Sequence, residues 1–364
     1  MFDENEIMAR IQKEMEGLSE DQRRQVEESM ENFSFSDLFA NAEARMLEAF
    51  GVQDADELRS LSQKELKERS REINKTLMAQ LRETPGFDDE EPEKHEYRPR
   101  PRRAKRTEPA QIPDDLLPFV KNTVVCDIAE EAQGLSKIGG RPLLPDSFEW
   151  PLNEYDEPLS FLLQINFAEV HPFDKDNIFP DHGILYIFYD VEEQPWDSED
   201  GDGKGYAVYY YTGELSALSP ADYPEEKDPD DVSCGGYADE NCLIYESPLT
   251  FSSSVDLPSY EDLCYICDKV KYESEEYEDI RSEITDTFPD DDVFKLGGYP
   301  DTIQDGLYHS FEPDEYTMLC QLSTYEVPGA GFMFGDGGKL FVMIKTADLA
   351  AGDFSNAEIE LQCY

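Results

Sequence analysis

The sequence predicts an α+β protein: a duplicated, mostly antiparallel β core with flanking helices, plus an N-terminal helical segment. Three observations predict it. The stretch from Ser136 to Asp190 is written a second time near the C-terminus. Runs of strand length, rich in Val, Ile, Tyr and Phe, follow one another past Asp114. Before Thr84, apolar residues recur at helical spacing.

The duplication shows in three places. Lys137-Ile138-Gly139-Gly140-Arg141-Pro142 is echoed by Lys295-Leu296-Gly297-Gly298-Tyr299-Pro300. Leu162-Leu163-Gln164-Ile165 is echoed by Leu319-Cys320-Gln321-Leu322. Phe179-Pro180-Asp181-His182-Gly183-Ile184-Leu185-Tyr186 is echoed by Phe334-Gly335-Asp336-Gly337-Gly338-Lys339-Leu340-Phe341. Chance supplies one such echo easily, but rarely three in one order at nearly constant spacing. The two copies span about 123–215 and 285–364.

Within the first copy, Thr123–Ile128, Phe161–Phe167, Ile184–Tyr189 and Tyr206–Tyr211 read as strands, and Leu243–Tyr245 and Leu249–Phe251 as further ones. Pro258-Ser259-Tyr260-Glu261-Asp262 reads as a helix start, and Ser274–Thr285 reads helical, with Tyr277, Ile280 and Ile284 on one side. In residues 1–84, Ser62 and Glu65 have capping-box spacing ahead of Leu66 and Ile73, and Gly51 ends the preceding run. Residues 85–113 change character. Arg98-Pro99-Arg100-Pro101-Arg102-Arg103 offers no apolar face, so this is a flexible linker. Its basic island reads either as a tether on the chain's own acidic surface or as a nucleic-acid contact or address. Residues 114–364 form the main domain.

Several of these motifs resemble the YwqG-like family, a bacterial domain of unknown function. They are Ser136-Lys137-x-Gly139-Gly140-x-Pro142, Trp150-Pro151, the Gln164 strand, Phe179-Pro180-Asp181-x-Gly183-x-Leu185-Tyr186, Leu296-Gly297-Gly298-Tyr299-Pro300-Asp301, Asp353-Phe354-Ser355 and Gln362-Cys363. The resemblance covers about 114–364. It implies a cytoplasmic α+β protein of duplicated architecture and brings no reaction with it.

Composition narrows the function. Thirty-one Lys+Arg against 83 Asp+Glu give a net charge of −52. Such a field repels phosphate backbones and anionic lipid and attracts basic partners, so neither nucleic acid nor membrane is expected as partner of the main domain. The seven cysteines are odd in number and irregularly spaced, which argues against a disulfide framework. The N-terminus is acidic without an apolar core, and no apolar run reaches the roughly 18 residues of a spanning helix. The expectation is a soluble, cytoplasmic protein.

Catalytic and metal signatures are thin. Cys264-Tyr265-Ile266-Cys267 has knuckle spacing without a second pair, and Asp197–Gly205 breaks the calcium-loop pattern at Lys204. No cofactor or metal is expected. Two similar halves pack like a fused dimer, and clefts at such seams bind ligands. The candidate binding residues of an inter-repeat cleft are therefore Gln164, Gln321, Trp150, Asp181, His182 and Asp336. The two glutamines read either as polar lining or as structural amides that satisfy backbone. The expected function is non-enzymatic: an acidic protein that binds a basic protein or peptide, as a toxin neutraliser or adaptor. The alternative is a hydrolase acting on a small polar substrate in the cleft, and a third reading gives partner binding to the N-terminal helices.

Overall fold

The computed structural model describes residues 111–225, 244–285 and 294–364 (apart from 328 and 329), with 47, 49–62, 65–67, 69, 70, 73 and 76 of the N-terminal unit. The earlier N-terminal stripes, the Pro/Arg linker up to residue 110, and Cys234 and Cys242 lie outside the described residues. In the N-terminal unit, helix α1 spans Ala55–Ser60. Gly51 precedes it at φ +64, as a helix-ending glycine does. The capping box forms: Ser62 N–H donates to Glu65 Oε2 at 2.9 Å and Glu65 N–H to Ser62 Oγ at 3.3 Å.

The main unit is built on antiparallel strands. Those of its large sheet are β1 (Lys121–Ile128), β2 (Lys137–Ile138), β4 (Ser160–Asn166), β5 (Ile184–Tyr189), β6 (Tyr206–Tyr211), β8 (Ser247–Asp256), β9 (Phe294–Gly297), β10 (Tyr316–Ser323), β13 (Lys339–Lys345) and β14 (Glu358–Gln362). Among the described residues they form one sheet in the order β14-β13-β10-β9-β1-β8-β2-β4-β5-β6. Short side ribbons pair β3 (Leu143–Pro145) with β7 (Leu218–Pro220) and β11 (Tyr325–Val327) with β12 (Ala330–Phe332). Ile184–Tyr189 is a strand because six consecutive bulky side chains are buried on both faces. Ile244 and Tyr245 precede β8 instead of forming a strand of their own. Gly140 N–H takes the Ile244 carbonyl at 2.7 Å, which removes it from any ladder.

The registers repeat. Lys137 faces Gln164 across β2–β4, and Lys295 faces Gln321 across β9–β10. Gln164 faces Tyr186 across β4–β5, and Gln321 faces Phe341 across β10–β13. Each of these central strands carries one bulge, between Phe161 and Leu163 in one and between Met318 and Cys320 in the other.

The sheet curls until its ends meet. Asp197 bridges to Glu360, Leu361 N–H donates to the Trp196 carbonyl at 2.7 Å, and Tyr206 Oη–H donates to the Ala357 carbonyl at 2.9 Å. The concave face encloses one core drawn from the whole sheet, including Val124, Ile165, Leu185, Leu322, Leu340 and Val342. Each such side chain contributes about 1.5–3 kcal/mol on burial. The convex face carries two smaller cores: Phe161, Tyr186 and Phe188 with Trp150 on one side, Met318, Phe341 and Met343 on the other. Helix α2 (Phe167–Val170) follows β4, and helices α3 (Tyr260–Ile266) and α4 (Ser274–Thr285) bury Leu263 and Tyr277 against Leu116 and Leu257. Ser259 caps α3, its Oγ accepting from Asp262 N–H at 3.2 Å.

Candidate functional site

The bulges set where the glutamines point. With Leu163 and Ile165 committed to the concave core, Gln164 between them faces the convex side. It is fully buried there under its own loop: Oε1 accepts from Leu143 N–H at 2.9 Å, and Nε2 donates to the Leu135 carbonyl at 2.6 Å. Gln321 repeats the arrangement, its Oε1 accepting from Asp301 N–H at 2.8 Å. Neither lines an open cleft; each pins the loop of its own half. Gln164→Ala takes the side-chain partner from two part-buried backbone groups, Leu143 N–H and the Leu135 carbonyl, so a loss of about 1–3 kcal/mol in chemical denaturation is expected. A loss under 0.5 kcal/mol would show the loop to be held otherwise.

Beneath the second loop the sequence reading missed a cluster of buried charges. Lys295 Nζ lies 2.9 Å from both Asp256 Oδ2 and Asp301 Oδ2. Arg281, on α4, pairs with Asp301 and donates from Nε to the Leu257 carbonyl at 3.0 Å. Lys339 Nζ reaches the Asp301 carbonyl at 3.2 Å. Burial pushes the Asp301 carboxyl up, but Lys295, Arg281 and Lys339 more than offset it and hold the group well below the usual range. Among the described residues no such cluster surrounds Lys137. Leu143 stands where Asp301 does, and Lys137 pairs with Glu246 at 2.6 Å.

Next to the cluster, Asp262 is fully buried. Its Oδ1 accepts from Tyr308 N–H at 3.2 Å, and its Oδ2 has no partner among the described residues. Burial, then the neighbouring Glu261, raise its carboxyl above the ordinary value, against the opposing pull of hydrogen bonds and Arg281. A raised carboxyl loses folded-state stability as pH rises through its folded value. Asp262→Asn is therefore expected to add about 1 kcal/mol at pH 7 and progressively less towards pH 4. Equal destabilisation at both pH values would contradict this.

Asp181, His182 and Asp336 lie at two seams where the sheet's ends meet. At one, the loop before β5 faces helix α5 (Thr346–Ala351), which follows β13. A groove of about 560 Å³ is lined there by Ile178, Phe179, Pro180, Tyr210, Thr317 and Leu349, among others. Asp181 and His182 stand beside it, Nδ1 of His182 2.6 Å from Asp181 Oδ1, both exposed, while Tyr210 Oη–H donates to the His182 carbonyl. The hydrogen bond to His182 lowers the Asp181 carboxyl. At the other seam, the loop after β5 faces the loop before β13, which carries the exposed Asp336. A cavity of about 180 Å³ is lined by Asn153, Glu154, Asp190, Glu193, Trp196 and Asp200, among others.

Thus Asp181 and His182 share one seam, Asp336 stands at the opposite one, and Gln164 and Gln321 are at neither. Trp150 is also away from both. It donates from Nε1 to the Leu159 carbonyl at 2.8 Å and packs edge-on to Phe188 and Tyr223. The acidic cavity draws Asp200 and Gly205 from Asp197–Gly205, the run that breaks the calcium-loop pattern in the sequence; a tryptophan beside its carboxylates was the available signal. Cys264 is exposed and Cys267 half-buried, both as free thiols. No group of three or more metal-ligating side chains occurs among the described residues, and no helix among them is long and apolar enough to cross a membrane.

Fold and sites define an α+β protein on a curled antiparallel sheet whose openings lie at its two seams. Residues 136–363 match the family described as Domain of unknown function (DUF1963). The chain belongs to that family. None of the curated proteins compared with it matches.

Proposed function

We propose that this is a YwqG-like, non-enzymatic binding protein that engages a basic protein or peptide, in a neutralising or adaptor role, on a scaffold made by duplicating one unit. The observation that carries the reading is the net charge of −52 together with a seam cavity lined by Glu154, Asp190, Glu193 and Asp200. The duplication is supported by the repeated registers, the paired bulges and the two glutamines that hold equivalent loops. In that reading the two seams are counterparts, and Asp181 and Asp336 are the same ancestral residue. A cytoplasmic location belongs to the proposal and is supported by the free thiols of Cys126, Cys264, Cys267, Cys320 and Cys363.

Titration of the full chain with a cationic peptide, and with the same peptide carrying Glu for each Arg, tests the reading. Saturable binding of the cationic peptide alone at 150 mM salt, weakening about tenfold or more on raising salt to 500 mM, is expected. Absence of binding at 150 mM contradicts it.

The 2.6 Å contact of Asp181 with His182 beside the uncharged groove favours a second reading, a hydrolase acting on a small polar substrate. Substrate profiling tests it: turnover abolished by both Asp181→Ala and His182→Ala would support it. Turnover that survives both removes these residues from any mechanism.

A further inference from the structure

We infer that the acidic seam is the docking face, and that it takes a segment in which an apolar side chain is flanked by arginine or lysine. This rests on the basic-partner reading above and says where and how the partner is held.

Three loops are tied together around the cavity. Asn153 Nδ2 donates to Asp190 Oδ2 at 2.8 Å, joining the loop after β3 to the loop after β5. Gln194 joins the latter to the loop before β13: its Oε1 accepts from Gly335 N–H at 2.7 Å, and its Nε2 donates to the Met333 carbonyl at 3.2 Å. Gln194 does this from left-handed backbone, φ +47, a conformation that costs an L residue about 1 kcal/mol and persists only where its surroundings hold it.

Each loop presents a large apolar side chain to solvent: Leu152 is 46% exposed, Trp196 49% and Met333 52%. None of the described residues lining the cavity is cationic, and Glu154, Glu193 and Asp200 supply negative charge beside the indole. A half-exposed tryptophan among carboxylates suits an arginine, which can stack on the ring and pair with the acids. The exposed apolar side chains on the two loops tied to this one, Leu152 and Met333, add area that a purely cationic ligand would leave wet. Charge complementarity therefore selects a basic segment, and Leu152 and Met333 select one that is not wholly polar.

The chain has two tryptophans, and Trp150 is packed inside, so Trp150→Phe leaves Trp196 as the only indole reporter. Two probes are used at 150 mM salt: a peptide of alternating Arg and Leu, and a polyarginine peptide of equal charge. The mixed peptide is expected to shift Trp196 emission to the blue and saturate. Calorimetry on a Trp196→Ala/Met333→Ser variant is expected to show at least tenfold weaker binding of the mixed peptide and a smaller loss for polyarginine, which gives up its stacking on the indole but keeps its pairing with the carboxylates. Leu152→Ser, in a separate variant, is expected to weaken the mixed peptide alone; thermal transitions within about 2 °C of the parent establish that the fold is intact. If the mixed peptide binds both variants as tightly as the parent, this docking face is overturned while the basic-partner reading stands. If neither peptide binds the parent at 150 mM, that reading falls, and this inference with it.

Discussion

Asp301→Ala is expected to lower stability by about 3–5 kcal/mol, because it leaves Lys295 and Arg281 buried without their shared carboxylate. For a unit of this size that is a fall of about 6–20 °C in Tm. The effect should depend on pH in a fixed direction. The Asp301 carboxyl is held below its unfolded value, so its contribution is complete above about pH 4, where the unfolded group is ionised, and is lost as pH falls towards the depressed folded value. The gap between parent and variant should therefore narrow below pH 4. Asp301→Leu, which copies Leu143 of the first half, should be equally damaging on its own. Adding Lys295→Met removes one orphaned cation and is expected to recover part of the loss. A single-variant loss below 1 kcal/mol would mean that the cluster is solvated.

Gly139→Ala is expected to be nearly as severe, and its matched partner Gly297→Ala distinctly milder. Both glycines sit in left-handed backbone, at φ +58 and +65, where an alanine costs about 1 kcal/mol on that account alone. They differ in what a new methyl group would meet. At Gly139 it would lie 2.5 Å from the Ile244 carbonyl oxygen and 2.6 Å from that of Tyr245, which are backbone atoms that cannot rotate away. At Gly297 the nearest atom is Ile178 Cδ1, at 2.9 Å, the end of a flexible side chain. Losses of about 3 kcal/mol or more for Gly139→Ala and about 1–2 kcal/mol for Gly297→Ala are expected in urea denaturation. Equal losses would contradict the difference in packing.

How far these features can be read from the sequence depends on how local their causes are. The strand and helix types follow from side chains that act on their own neighbours. Ile184–Tyr189 is apolar throughout, and Ser259 caps the helix that begins one residue later. The two glutamines announce themselves by standing at matched places in apolar strands. Which face they occupy does not, because a one-residue bulge at Leu162 or Leu319 decides it, and no single side chain signals the bulge. The buried charges are less legible still. Lys295 and Lys339 read as the polar members of half-exposed strands. Their partners arrive from β8, from α4 and from the loop after β9, and only tertiary assembly brings these together. Gln164 and Gln321 are buried under their loops, and the groove and cavity described above lie at the seams, since closing a sheet into a curl opens space where its ends meet.

Hydrogen exchange, recorded with and without a saturating Arg/Leu peptide, tests the functional account most directly. Slowed exchange in the loops of residues 152–158, 190–205 and 333–336, with no change in 139–145 or 299–305, is the predicted footprint. Protection confined to the loops over Gln164 and Gln321 would contradict it and return the site to the middle of the sheet.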